Sequence, residues 1–147
     1  MELAQVLHGI DLFEGLDEDQ LVEVAEICKV RLYSAGQVIA QEGSQGDEFY
    51  IITEGFVEVM IGERPNSGPR VVVSLGTGQI IGEMALLDQG PRSATVRATS
   101  QPTVLQVIHR DDFETLCRKD TRLGYTVMRN LAHDLSFKLR HRNLIER

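Results

Sequence analysis

The sequence predicts an α+β, mainly β protein: an antiparallel β-roll, jelly-roll-like, flanked by N-terminal helices and a long C-terminal helix. Three observations predict it. Short β-rich runs separated by glycines fill the middle of the chain. Apolar residues at helical spacing occupy both ends. The 147 residues, 42% hydrophobic and 25% charged, suffice for one packed core and fit no collagen-like, low-complexity or disulfide-dense chain. The whole of 1–147 is therefore read as a single domain, with a helical segment at 1–28, the roll at 30–109 and C-terminal helices at 111–147.

In chain order, residues 2–28 read as helical. Leu12, Phe13 and Leu16 precede a helix that starts near Asp17, a good N-cap, with Asp19 and Gln20 in its first turn. Leu21, Val24, Ala25 and Cys28 then recur at helical spacing.

The texture changes at Val30. Strands are predicted over residues 30–33, 37–40, 48–53, 56–61, 70–75, 95–98 and 103–108, with glycines such as Gly36, Gly43, Gly55 and Gly62 at their ends. Turn glycines supply left-handed backbone at low steric cost. No internal repeat or long linker divides the chain.

After His109 the pattern is helical again. Asp111 and Asp112 open a short helix containing Phe113, Leu116 and Cys117. A longer helix runs from about Arg122 to Arg142 or beyond. Met128, Leu131, Leu135 and Leu139 form an apolar stripe on it, with Val127 and Ala132 beside it. Such a stripe fits a helix lying on the body or pairing with a second copy of itself.

Charge is unevenly spread. Residues 1–117 carry 7 basic and 19 acidic side chains, and residues 118–147 carry 8 and 3, for a net charge of −7. The overall sign argues against a nucleic-acid-binding surface. The basic end favours intramolecular or dimer contacts with the acidic body; the plainer alternative is a solvated helix face. No apolar run reaches the roughly 18 residues of a membrane span, and no signal peptide is evident, so a cytoplasmic protein is expected. Cys28 and Cys117 are expected to be buried free thiols in a reducing compartment. No nucleophile elbow, P-loop or zinc-protease motif occurs, and His8, His109, His133 and His141 are scattered, so no enzyme is expected.

The stretch from Gly76 to Ala98 is the most informative. Gln79, Ile80 and Ile81 enter a turn at Gly82, and Glu83 to Leu87 are good helix formers. Unpaired N–H groups at such a helix start can hold a phosphate, and a glycine lets the anion approach. Arg92 follows the turn Gln89-Gly90-Pro91 and suits a bidentate phosphate contact. Glu83 would repel that phosphate unless it accepts from another group, such as a sugar hydroxyl. Spacing alone leaves two readings: a nucleotide with a compact phosphate, or a plain Glu83–Arg92 ion pair on a loop.

The stretch resembles the phosphate-binding cassette of the cyclic-nucleotide-binding domain family, of the catabolite activator protein and cyclic-AMP-dependent kinase regulatory subunit type. The matching residues are Gly82-Glu83-Met84-Ala85-Leu86-Leu87 and Pro91-Arg92-Ser93-Ala94-Thr95. Upstream, Gly36-Gln37-Val38-Ile39, Glu42-Gly43, Gly46-Asp47-Glu48-Phe49-Tyr50-Ile51-Ile52 and Gly55-Phe56-Val57-Glu58-Val59 resemble the family's opening strands. The likeness covers essentially the whole chain.

The resemblance implies a role for each position. Arg92 would pair with the exocyclic oxygens of a cyclic phosphate. Glu83 would accept from the ribose 2′-hydroxyl. Backbone N–H groups at Met84 and Ala85, after Gly82, would complete the cradle, and Ser93 would donate to phosphate. Val72 and Val73 would wall the base, with Leu135, Lys138, Leu139 and Arg142 of the last helix on its far side. The implied function is a sensor of cAMP, with cGMP the second candidate, that moves its C-terminal helix on binding. No cofactor is implied beyond that ligand. A homodimer through the C-terminal helix and a protein effector are the implied partners; DNA is not, because the residues after the long helix leave no room for a recognition helix. The chain would thus be a stand-alone module or a fragment. The alternatives are the same fold with a different small-molecule input, or an empty pocket serving protein interaction.

Overall fold

A computed structural model describes residues 2–64 and 68–141. They fall into two compact units, one from both chain ends (2–26 with 114–141) and one from residues 27–113.

The central unit holds eight strands: β1 (Cys28–Tyr33), β2 (Val38–Ala40), β3 (Glu48–Glu54), β4 (Val57–Arg64), β5 (Gly68–Leu75), β6 (Ile80–Ile81), β7 (Thr95–Ala98) and β8 (Thr103–His109). They form two antiparallel sheets, ordered β1-β8-β3-β6 and β2-β7-β4-β5. No two strands adjacent in a sheet are adjacent in the chain except β4 and β5, so the chain winds back and forth between sheets as a roll. Alternation of side chains along each strand builds the core between them. Tyr50 and Ile52 of β3, Leu105 and Val107 of β8, Val57 of β4 and Val96 of β7 make its centre. On the other face of β3, Phe49 meets Phe113 edge-on, with ring centroids 5.8 Å apart.

The strands lie where the sequence places them, with ends shifted by up to three residues. Cys28 is a correction: it opens β1 rather than closing a helix, pairing with Ile108 of β8. Its helical spacing from Leu21 and Val24 is outweighed by the β-branched and aromatic run that follows and by the ladder β8 offers. The thiols are a second correction, since Cys28 and Cys117 are half-buried rather than fully buried. That burial still pushes Cys28 up to about 12 and Cys117 up to about 11.

The other unit contains α1 (Leu3–His8), a 3-10 turn (Asp11–Phe13), α2 (Glu18–Glu26), the end of α3 (Arg110–Lys119) and α4 (Thr121–Arg140). The segment read as helical is thus three short pieces. Asp17 caps α2 as expected: its Oδ1 accepts from the Gln20 N–H at 2.8 Å, and Gln20 Oε1 accepts from the Asp17 N–H at 3.0 Å. Asp120 caps α4, accepting from the Leu123 N–H at 3.1 Å and from Gln20 Nε2 at 3.2 Å. Asn130 of α4 donates to the carbonyls of Leu12 and Glu14, closing hydrogen bonds that the chain reversal leaves open.

The apolar stripe of α4 divides. Leu123, Val127 and Leu131 are buried, Met128 and Leu135 are half-buried, and Leu139 is 69% exposed, as is Phe137 at 62%. A continuous packing stripe therefore holds only for the first half of α4. No described helix is long and apolar enough to cross a membrane.

Candidate functional site

The cassette is built from three short pieces of backbone. β6 pairs with β3, Ile81 opposite Tyr50, which fixes where the next residue leaves the sheet. That residue, Gly82, has φ 78°, left-handed backbone that strains any side chain. It caps a 3-10 turn, Glu83–Leu86, whose apolar Ala85 and Leu86 are buried and anchor it to the roll. The Ala85 N–H donates to the Gly82 carbonyl at 3.0 Å, and the Asp88 and Leu87 N–H groups return to Met84. The first N–H groups of such a turn lack an acceptor within it. Ala85's own N–H is thus taken within the turn.

Arg92 is held by its backbone first. Its N–H donates to the Ser44 carbonyl at 2.7 Å, and its carbonyl accepts from the Gly43 N–H at 2.9 Å. Two loops distant in sequence are laced together there. The side chain then runs across Gly46, where a Cβ would collide with its Nε, Cζ and Cδ atoms. It ends against Gly82, whose imagined Cβ would lie 2.5 Å from Nη1. Nη2 donates to the Glu48 carbonyl at 2.8 Å, and Cζ lies 5.6 Å from the centre of the Tyr50 ring. Glycine at both places is what lets the guanidinium lie flat against backbone.

The structure therefore brings together Gly82 and Arg92; Glu83, next after Gly82 in the chain, is half-buried. Met84 is 48% exposed and Ser93 is exposed. Val72 and Val73, each 43% exposed, lie on β5, an edge strand of its sheet. Leu135 and Leu139 lie on α4, as does Lys138, which pairs with Asp134 at 2.9 Å. Arg142 lies outside the described residues.

Gly46, Glu48 and Tyr50 touch Arg92, and the sequence reading used them only as strand residues. A signal was present: Glu48 and Tyr50 stand two apart on a strand and must share a face.

The histidines behave as surface and capping groups. His109 Nε2 lies 3.2 Å from Asp47 Oδ2, and its Nδ1 accepts from the Asp111 N–H at the start of α3. Among the described residues, no group of His, Cys, Asp and Glu could hold a metal ion.

Two antiparallel sheets of eight strands, with helices before and after them in the chain, are a β-roll of the cyclic-nucleotide-binding type. The sequence profile of the cyclic nucleotide-binding domain family matches residues 30–120, and the chain belongs to that family. A cyclic nucleotide-gated potassium channel of Rhizobium etli is 33% identical over 123 residues, 84% of this chain and 32% of the channel. The chain thus spans about a third of the length of that curated relative. Among solved structures, the Thermus thermophilus catabolite activator protein superposes with TM-score 0.80 at 32% identity, covering 91% of this chain and 60% of that one. The regulatory domain of Toxoplasma gondii PKA, crystallised with cAMP, superposes with TM-score 0.77 at 26% identity, covering 91% of this chain and 48% of that one.

Proposed function

We propose that this chain is a non-catalytic cAMP-sensing module in which Arg92 and Glu83 hold the cyclic phosphate and the ribose. One observation carries the proposal: the Arg92 guanidinium lies against Gly82, the residue that caps the turn opened by Glu83. Glu83 follows that glycine in the chain, so in this reading a cation and a carboxylate serve the same ligand from either side of it. That donor and acceptor set suits a cyclic phosphate and a neighbouring sugar hydroxyl. Met84 and Ser93 add donors at the rim, and Val72 and Val73 offer an apolar wall for the base.

cAMP is the preferred ligand over cGMP. Ser93 is compatible with both, and the PKA domain crystallised with cAMP supports the choice. The fold's output is a shift of α4 relative to its free position, driven by the contacts ligand makes in one state and not the other. The exposed Phe137 and Leu139 near the end of α4 are then the surface offered to a second copy or an effector, in a cytoplasmic protein working as one domain. Calorimetric titration with cAMP, cGMP and 5′-AMP tests the proposal. Saturable cAMP binding that 5′-AMP does not reproduce is expected; heats no larger than those of 5′-AMP would overturn it.

A further inference from the structure

Arg92 stands at one end of a polar chain that reaches the outer edge of the roll. Glu48 and Tyr50 alternate onto one face of β3, so both reach toward the same rim. The Tyr50 side chain is nearly inaccessible, and its hydroxyl donates to Glu48 Oε1 at 3.1 Å. Burial pushes the Tyr50 phenol up to about 12, so it keeps that proton at neutral pH. With the proton committed to Glu48, the phenol oxygen offers a lone pair to Arg92 Nη2 at 3.5 Å, beneath a guanidinium that already lies over the ring.

Glu48 is fixed in turn. Arg31, on the edge strand β1, donates from Nη1 to Oε1 and from Nη2 to Oε2, each at 3.2 Å, a two-pronged clamp. Arg31 Nη1 also reaches the Tyr33 hydroxyl at 3.4 Å. The clamp has an electrostatic consequence. The Glu48 carboxylate lies in the same cluster as the cation of the site. Left unneutralised, it would compete for Arg92 and repel an incoming anion.

We propose that Arg31, Glu48 and Tyr50 are positioning residues for Arg92, with Arg31 on the outer strand setting how strongly the site takes a cyclic phosphate. The proposal rests on Arg92 being the phosphate-binding cation. Arg31 neutralises Glu48, Glu48 orients Tyr50, and Tyr50 holds the guanidinium before ligand arrives. Order imposed in advance is order that binding need not create.

The test is calorimetric titration of the full chain and four variants, with cAMP and with cGMP. Tyr50→Phe and Arg31→Gln should each weaken binding about 3- to 10-fold, the effect of one hydrogen bond or one partly exposed charge. Glu48→Gln should weaken binding less than Arg31→Gln does, since it loses the Arg31 clamp but removes the competing charge and keeps an acceptor for Tyr50. The double variant Arg31→Gln/Glu48→Gln should return to within about twofold of Glu48→Gln alone, because the two residues act through each other. That rescue is a readout that simple damage to the fold does not give. Wild-type affinity in Arg31→Gln and Tyr50→Phe, or independent addition of the Arg31 and Glu48 effects, overturns the relay. Failure of the underlying reading looks different: the unmodified chain gives no cyclic-nucleotide binding, or Arg92→Ala binds as tightly as wild type.

Discussion

Arg92 Nη2 donates to the backbone carbonyl of Glu48 at 2.8 Å, across 44 positions of the chain. A long, flexible side chain is thus tied to the backbone of a central strand, and its charged end is set by the sheet rather than by its own rotamers. The backbone of Arg92 is tied as well, to Gly43 and Ser44.

Removing the guanidinium should remove most of the affinity. Arg92→Ala leaves phosphate charge unpaired in a partly desolvated site, a loss of about 2–5 kcal/mol, or roughly 30-fold to several-thousand-fold in Kd. Arg92→Lys should recover little, because an ammonium cannot reproduce the planar fork. Calorimetry against cAMP checks both, and a Kd for Arg92→Ala within threefold of wild type would count against the site.

Gly46 and Gly43 separate space from conformation. At Gly46 an added methyl collides with Arg92, while at Gly43, with φ 84°, it meets nothing within 4 Å. Gly46→Ala should therefore weaken cAMP binding at least tenfold by displacing the guanidinium. Gly43→Ala should lower stability by about 1 kcal/mol through backbone strain and leave affinity nearly intact. Thermal melts and titrations run on both variants show whether the effects divide in this way.

The cap of α2 bears on stability and not on the ligand. Asp17→Ala removes the half of the Asp17–Gln20 box in which Oδ1 accepts from the Gln20 N–H, and leaves the backbone N–H that donates to Gln20 Oε1. It should cost about 1 kcal/mol, visible as a fall in Tm, with cyclic-nucleotide affinity unchanged.

Asp120 predicts an acid-side effect. The Leu123 N–H and then the Gln20 amide hold its carboxyl below the ordinary aspartate range. A carboxylate lowered on folding contributes stability that is complete above about pH 4, its unfolded value, and is lost as pH falls through the lower folded value. The start of α4 should thus loosen under acid. Asp120→Asn keeps an acceptor and should flatten this dependence. Helical circular dichroism followed from pH 6 downward compares the two chains.

The output can be read by hydrogen exchange. If ligand shifts α4, protection across Thr121–Arg140 should change when cAMP is added at saturating concentration. Identical exchange with and without cAMP would remove α4 as the responding element.

Much of this protein is legible along the chain. The β-rich runs at Glu48, Thr95 and Thr103 and the helix start at Asp17 are local patterns, and each lies where its composition and turn chemistry put it. Gly82-Glu83 and Pro91-Arg92 are likewise short signatures, and Gly82 takes the left-handed backbone the turn requires. Cys28 shows the limit. Its spacing suits a helix, and only pairing with Ile108, far along the chain, makes it a strand residue.

The sequence by itself determined the strands, the turns and the residue types of the cassette, because these follow from periods of two and 3.6 and from backbone preferences within a few residues. Only the tertiary structure decided that Gly46 makes room for Arg92, that Tyr50 lies beneath it and that Arg31 clamps Glu48. Those contacts depend on the register between strands distant in sequence, and register is fixed by the packing of the whole core, which no local pattern encodes.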